Sequence, residues 1–254
     1  MKLLCPVCKQ PLEKVSKSWR CENNHNFDEA KSGYLNLLQS GGNHGDNKEM
    51  VKARTAFLES GAYAFLKQKL IQLIGNPDTL ADFACGEGYY TSGLCAKEII
   101  GIDMSKDALI HAAKHYPAIR WVLASIFDAP LEDNSCDVVL TCFAPFAKEE
   151  IERILRPGGR FIFVTPGPHH LYELKEALYE TPYRNIHKDL DTNLSLVHEE
   201  TISSSWLCHN EQLYSLFAMT PYVYRTGKRG KEKLSTIEAL HLTAEFVIRI
   251  YQKS

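Results

Sequence analysis

The tract Leu80-Ala81-Asp82-Phe83-Ala84-Cys85-Gly86-Glu87-Gly88 constrains this chain more than any other. A short apolar run that ends on two closely spaced glycines reads as a buried strand feeding a tight turn. A helix over 89–96 is the expected next element. The alternation then repeats. A strand is expected over 98–103, a helix capped by Ser105 runs to 115, and strands follow at 120–124 and 136–141. A helix over 149–155 and a strand over 160–165, after Pro157-Gly158-Gly159, complete the pattern. Strands alternating with helices imply an α/β fold with a parallel sheet covered on both faces. Upstream, 48–58 and 62–74 carry apolar residues at helical spacing. Past residue 170 the expectations are a helix over 171–179, an irregular stretch over 180–200, and strands over 201–207 and 244–251.

With 254 residues the chain is long enough for one large domain, or one domain and a small module. A core of that size needs no disulfides. The net charge of −2 confines any nucleic-acid site to a local basic patch. No apolar run approaches the ~18 residues of a membrane span, so no membrane partner is expected. The first residues lack the apolar core of a secretory signal, which makes a cytoplasmic location the expectation. The eight cysteines are then expected as reduced thiols or metal ligands.

The glycine loop carries the first chemical signal. Glycines let the backbone approach a ligand closely, and a helix N-terminus presents unpaired amides. Asp103 ends the next strand, where a carboxylate can accept both ribose hydroxyls of an adenosine. Nicotinamide cofactors favour a third glycine, for the pyrophosphate, and Thr91 stands there. S-adenosylmethionine has no pyrophosphate and needs no such glycine. Its amino-acid end would lie near Asp82 and the loop amides, its ribose at Asp103, and its adenine beside Ala124-Ser125.

The second signal is Cys5-Pro6-Val7-Cys8 followed by Cys21 and His25. Two tight pairs on turns can close a tetrahedron around one zinc ion. Residues 1–34 have too little apolar periodicity to build a core, and metal binding would supply the missing folding free energy. Four protein ligands leave no open position, so the zinc would be structural. Lys2, Lys9, Lys14, Lys17, Arg20 and Lys31 outnumber the four acids of this module. Either RNA contact or packing against the larger domain accounts for it, with Trp19, Phe27 and Tyr34 exposed in the one case and packed in the other.

The cysteine knuckles, the helix containing Tyr63, the run Gly86-Glu87-Gly88-Tyr89-Tyr90-Thr91 and the tract Thr165-Pro166-Gly167-Pro168-His169-His170-Leu171 together resemble the bacterial 23S rRNA guanine-N1 methyltransferases. The resemblance is best over 1–180. It implies a class I methyltransferase fold, Rossmann-like and doubly wound, behind a zinc-ribbon module. It also implies a homodimer that methylates N1 of one guanine in a 23S rRNA hairpin. Tyr63, the loop Gly86, Glu87, Gly88, Tyr90, Thr91, and His170 match family positions near the cofactor. The expected division is a ribbon over 1–34, a linker and helix over 35–61, and the methyltransferase domain over 62–254. The polar stretch 39–46 reads as part of that linker.

Guanine N1 carries a proton at neutral pH, so methylation there needs an acceptor for it. Asp128, Glu132 and Asp133 follow the third strand and are either near the cleft or ordinary loop acids. Thr141-Cys142-Phe143-Ala144-Pro145-Phe146 stands where amino-methylating enzymes carry Asn/Asp-Pro-Pro-Tyr, which argues against an exocyclic amine as acceptor. Phe143 and Phe146 either stack on a base or pack in the core, and Cys142 is a weak candidate for a covalent nucleophile. Arg225, Lys228, Arg229, Lys231 and Lys233, with Tyr222 and Tyr224 just before them, form a basic loop that is either an RNA contact or a solvated surface. Two other functions fit less of the sequence: methylation of a small molecule, and a non-catalytic RNA-binding adaptor.

Overall fold

The computed structural model describes residues 1–39, 45–186, 188–220 and 222–254, the side chains of Tyr224 and Arg225 excepted. Residues 40–44 of the expected linker, and the side chains of Arg225 in the basic run and of Tyr224 just before it, lie outside the described residues.

The first residues form a small antiparallel sheet of β1 (Glu13–Val15), β2 (Ser18–Arg20) and β3 (Asn26–Asp28). Its strands are too short to bury much on their own. The module therefore docks. Leu4 N donates to Pro130 O at 2.9 Å, and Leu3 bridges Leu131. Leu3, Cys5, Leu12, Trp19 and Cys21 belong to the same buried cluster as Phe83, Leu131 and Phe161 of the main domain. Of the two readings of the ribbon's aromatics, the packed one describes Trp19 and Tyr34, which are both buried.

Among the described residues the main sheet has eight strands in the order β10-β11-β9-β8-β5-β6-β7-β4. They are β4 (Leu35–Asn36), β5 (Thr79–Phe83), β6 (Glu98–Asp103), β7 (Arg120–Leu123), β8 (Cys136–Cys142), β9 (Leu155–Pro166), β10 (Ser195–His209) and β11 (Ala239–Gln252). From β4 to β9 the neighbours run parallel; β9–β11 and β11–β10 are antiparallel. Successive strands turn to opposite sides of β5, so a crevice opens at the carboxyl ends of β5, β6 and β8. Apolar runs such as Val138-Val139-Leu140 are buried on both faces, as a covered parallel sheet demands.

The α-helices among the described residues are α1 (Lys48–Glu59), α2 (Ala64–Ile74), α3 (Lys106–His115), α4 (Lys148–Ile154), α5 (Tyr172–Leu178), α6 (Asn210–Met219), α7 (Tyr222–Arg225) and α8 (Lys228–Thr236). Asn47 caps α1 and Ser105 caps α3, each accepting from the amide three residues on. α1 packs on α6 and α3 through Val51, Phe57 and Leu58, so it is part of the main domain's covering layer.

Three expectations are corrected. The helix over 89–96 is a single 3-10 turn at Thr91–Gly93. Tyr89, Tyr90 and Thr91 are poor helix formers, and Gly93 lies under Lys67 of α2, whose Cε would sit 2.5 Å from a Cβ there. The late strands are longer than expected, and β10 takes in residues 195–200 of the stretch read as irregular. Its Ser203-Ser204-Ser205 core blurs the apolar alternation. Finally, the basic run is no loop: 228–233 lie in α8, and Tyr222 is buried.

Candidate active site

The four metal-ligand candidates converge. Cys5 Sγ and Cys21 Sγ lie 3.5 and 3.3 Å from His25 Nδ1, and Cys8 Sγ lies 3.6 Å from Cys21 Sγ. All four donor atoms fall within 4.8 Å of one another. Thiolates bound 2.3 Å from a shared tetrahedral ion stand about 3.8 Å apart, close to the separations seen here, so the set fits one zinc ion. The Gln10 amide lowers the Cys8 thiol to about 6, whereas burial raises Cys5. A cation at the centre would hold both as thiolates.

Asp128, Glu132 and Asp133 are loop acids held in ion pairs, the second of the two readings. Lys9 of the ribbon reaches Asp128 at 2.5 Å, Lys2 reaches Glu132 at 3.9 Å, and Asp133 takes Arg153 at 2.7 Å. None lines the crevice described next.

At the carboxyl ends of the central strands lies a cavity of about 730 Å³. It brings together Tyr63, Asp82, Gly86, Glu87, Tyr90, Asp103 and His170, seven of the ten positions expected near a cofactor. The other three lie behind it. Gly88 has φ +82°, and a Cβ there would meet Trp121 at 2.6 Å, so glycine is needed for packing. Thr91 is buried and donates to Asp82 at 2.6 Å. Ser125 accepts from Phe127 N and caps the turn that brings Ile126 and Phe127 to the cavity.

The amides of both loop glycines are not free, contrary to expectation. Gly86 N donates to Asp103 at 2.8 Å and Gly88 N to Cys85 O at 3.0 Å. A 3-10 turn, not an α-helix, follows the loop, so no helix N-terminus is presented from that position. What faces it is acid: Asp46, Asp82, Glu87 and Asp103. Burial, with Asp103 and Glu87 nearby, raises Asp82 to about 7. Burial also raises Asp103, against the Ser105 and Gly86 amides. Two polar atoms of the wall, Tyr90 Oη and Arg54 Nη2, are buried without a partner among the described residues. Buried groups left in that condition are costly unless a ligand satisfies them. An acidic wall with two orphaned donors fits a ligand that is cationic at one point and accepting at another, as S-adenosylmethionine is.

Tyr63 Oη lies 3.4 Å from His170 Nε2, and His170 Nδ1 accepts from Glu245 N at 3.3 Å. That pattern puts the ring hydrogen on Nε2. Burial lowers His170 to about 3, so the ring is neutral. At the far end, Phe143 has φ +60°, is 42% exposed, and stands beside Tyr90 and Phe246. A non-glycine residue in that conformation is strained, and such strain concentrates at functional sites. Phe146 instead stacks on Phe161, with centroids 5.5 Å apart. Burial pushes the Cys142 thiol well above its ordinary value, which removes it as a nucleophile.

No sequence pattern marks Arg54 as part of the site. It sits on α1, read as a linker helix, 33 residues before the Glu87 to which it donates at 2.5 Å. No local spacing could have paired them.

Comparison with known proteins bears on the family and the fold. A family profile described as "RlmA, N-terminal" matches residues 3–40, and one described as "Methyltransferase domain" matches 81–163. The 23S rRNA (guanine(748)-N(1))-methyltransferase of Streptomyces fradiae is 35% identical over 237 residues, covering 86% of this chain and 84% of its own. Among solved structures, YcgJ of Bacillus subtilis matches with a TM-score of 0.51 at 13% identity, over 74% of this chain and 97% of its own. The [4+2]-cyclase SpnF matches with a TM-score of 0.51 at 13% identity, over 84% and 99%. These two likenesses concern the fold alone, and a cyclase among them illustrates that this fold does not dictate the reaction.

Proposed function

The chain belongs to the family of 23S rRNA (guanine-N1)-methyltransferases, and from that premise we propose that it transfers a methyl group from S-adenosylmethionine to N1 of a guanine in a 23S rRNA hairpin. The relative matched over more than four-fifths of both chains carries this reading. No observation favours a small-molecule substrate. A homodimer working in the cytoplasm belongs to the same reading.

In this proposal the cofactor's ribose hydroxyls bond Asp103, its adenine lies against Met104, Ile126 and Phe127, and its amino-acid end extends over Gly86 toward Asp82, Tyr63 and His170. Glu87 and Tyr90 complete the wall, while Gly88, Thr91 and Ser125 hold the loops in place. When bound, the cofactor supplies an electrophilic methyl group on a sulfonium. The protein aligns donor and acceptor and excludes water. N1 lies on the Watson–Crick edge, so the guanine must be unpaired or flipped. Phe143, half exposed beside the cavity, is placed to stack on that base. His170 is not the acceptor of the N1 proton, since its Nδ1 is occupied and its Nε2 already carries a hydrogen. Lys228, Arg229, Lys231 and Lys233 of α8 would meet phosphates. Arg229 pairs with Glu180 at 2.6 Å on the surface, a contact that phosphate can displace at little cost.

Cofactor binding should depend on pH through Asp82. The free carboxyl, raised to about 7, is largely protonated below that pH. A cationic ligand favours the carboxylate, so binding there expels a proton. Affinity for S-adenosylmethionine is expected to be flat above pH ~8 and to fall by up to about tenfold per unit below ~7. Calorimetry across pH in two buffers of different ionisation heat measures both the slope and the proton released; Asp82→Asn should remove both. For the unliganded protein the sign is the reverse of the usual carboxylate. A folded-state value above the unfolded one means that this group's contribution is present at low pH and lost as pH rises through about 7.

The deciding assay is methyl transfer to unmodified large-subunit rRNA, with digestion and mass spectrometry of the nucleosides. A 1-methylguanosine product is expected, mapping to one hairpin. Phe143→Ala should lower kcat/KM for RNA by about tenfold or more at unchanged cofactor affinity, the loss of one stacking contact. Label in another nucleoside, or none with cofactor bound, would overturn the substrate.

A further inference from the structure

We propose that Arg54 is the anchor for the methionine carboxylate of S-adenosylmethionine, an inference that rests on the cofactor reading above and names the group that recognises the acid. The charge pattern of the cavity requires such an anchor. Four carboxylates, Asp46, Asp82, Glu87 and Asp103, line it. They attract a sulfonium and an ammonium and repel a carboxylate. Among the described lining residues Arg54 is the sole cation, since His170 is neutral.

Its geometry is that of a held donor. Nε donates to Glu87 and Nη1 to Asp46, so two arms of the guanidinium are fixed. Nη2 is buried and unpartnered. It lies against the glycine loop, 3.1 Å from where a Gly86 Cβ would stand. A guanidinium already pinned on two sides loses little freedom when a carboxylate arrives, and a carboxylate on Nη2 satisfies a donor that otherwise stays desolvated. The alternative role is a clip that ties α1 to the loop. A clip supports every ligand of the cavity alike, whereas an anchor acts only on ligands that carry the acid.

Calorimetry on the full-length, zinc-loaded protein separates the two. The ligands are S-adenosylhomocysteine and its decarboxylated analogue, the same thioether with an aminopropyl chain. Wild type is expected to prefer S-adenosylhomocysteine by about 10- to 100-fold, the range of a charge-assisted hydrogen bond. Arg54→Gln should weaken S-adenosylhomocysteine by that factor and leave the analogue within about threefold. Arg54→Lys should fall between. The ratio of the two affinities within one variant does not depend on how much of it is folded, and Arg54→Lys decides the matter if Arg54→Gln does not fold. Equal losses on both ligands, or an unchanged ratio, overturn the anchor and leave the cofactor reading intact. Wild type binding neither ligand overturns the cofactor reading itself.

Discussion

Chelation of zinc is expected to unfold residues 1–34 and to lower the melting temperature of the whole protein by about 10 °C or more. The reason is the shared core. The ribbon's strands are three residues each and cannot hold a fold without the metal, whose binding contributes on the order of 10 kcal/mol in small zinc modules. Its buried Leu3, Leu12 and Trp19 pack into the cluster that also contains Phe83, Val122 and Leu131. When the ribbon opens, that face of the main sheet meets water. A loss of a few kcal/mol there converts to about 2–4 °C each in a domain of this size. Cys21→Ser should act like the chelator. Trp19 emission should shift to the red on chelation, a shift absent from Trp19→Phe, and metal analysis should return one zinc per chain before treatment. Unchanged melting and emission after complete zinc removal would mean that packing alone holds the ribbon.

This coupling marks the limit of what could be read from residues in a row. The ligands Cys5, Cys8, Cys21 and His25 were legible because coordination is written in short spacings. The strand, glycine turn and Asp103 were legible for a similar reason: a parallel sheet repeats its pattern within about 25 residues. Three things were not legible. The turn that replaces a helix after Gly88 packs with Gly93 against Lys67 of α2, a contact between separate elements. The acids Asp128 and Glu132 read as either neighbours of a cleft or ordinary loop acids, and nothing nearby in sequence shows that they receive lysines from the start of the chain. Arg54 joins the site across 33 residues through a helix whose sequence says only that one face is apolar. In each case the deciding partner lies outside any window in which periodicity or spacing operates.

Asp103→Ala is expected to cost at least about 100-fold in affinity for S-adenosylmethionine, and equally for its decarboxylated product analogue. A carboxylate offers about four acceptor positions. Asp103 spends two inside the protein, accepting from Gly86 N at 2.8 Å and Ser105 N at 2.7 Å. The remaining two suit a pair of ribose hydroxyls, and hydrogen bonds to a charged acceptor contribute about 1.5–3 kcal/mol each. Alanine removes the ligand bonds and also leaves the Gly86 amide unpaired, so the loop loosens as the ligand contact is lost. Asp103→Asn should do little better, because its amide nitrogen must face at least one backbone donor or turn from the ribose. Zinc content and the Trp19 signal should stay as in wild type, since the Met1 amine of the ribbon meets β6 at Glu98, the end of the strand away from Asp103. Affinity within about threefold of wild type in Asp103→Ala would move the ribose elsewhere. Set beside the Arg54 variants, the measurement resolves the ligand along its length. Loss at Asp103 falls on every adenosine-containing ligand, while loss at Arg54 falls only on those that carry the acid. A cavity that bound the cofactor in the opposite direction would exchange these two outcomes.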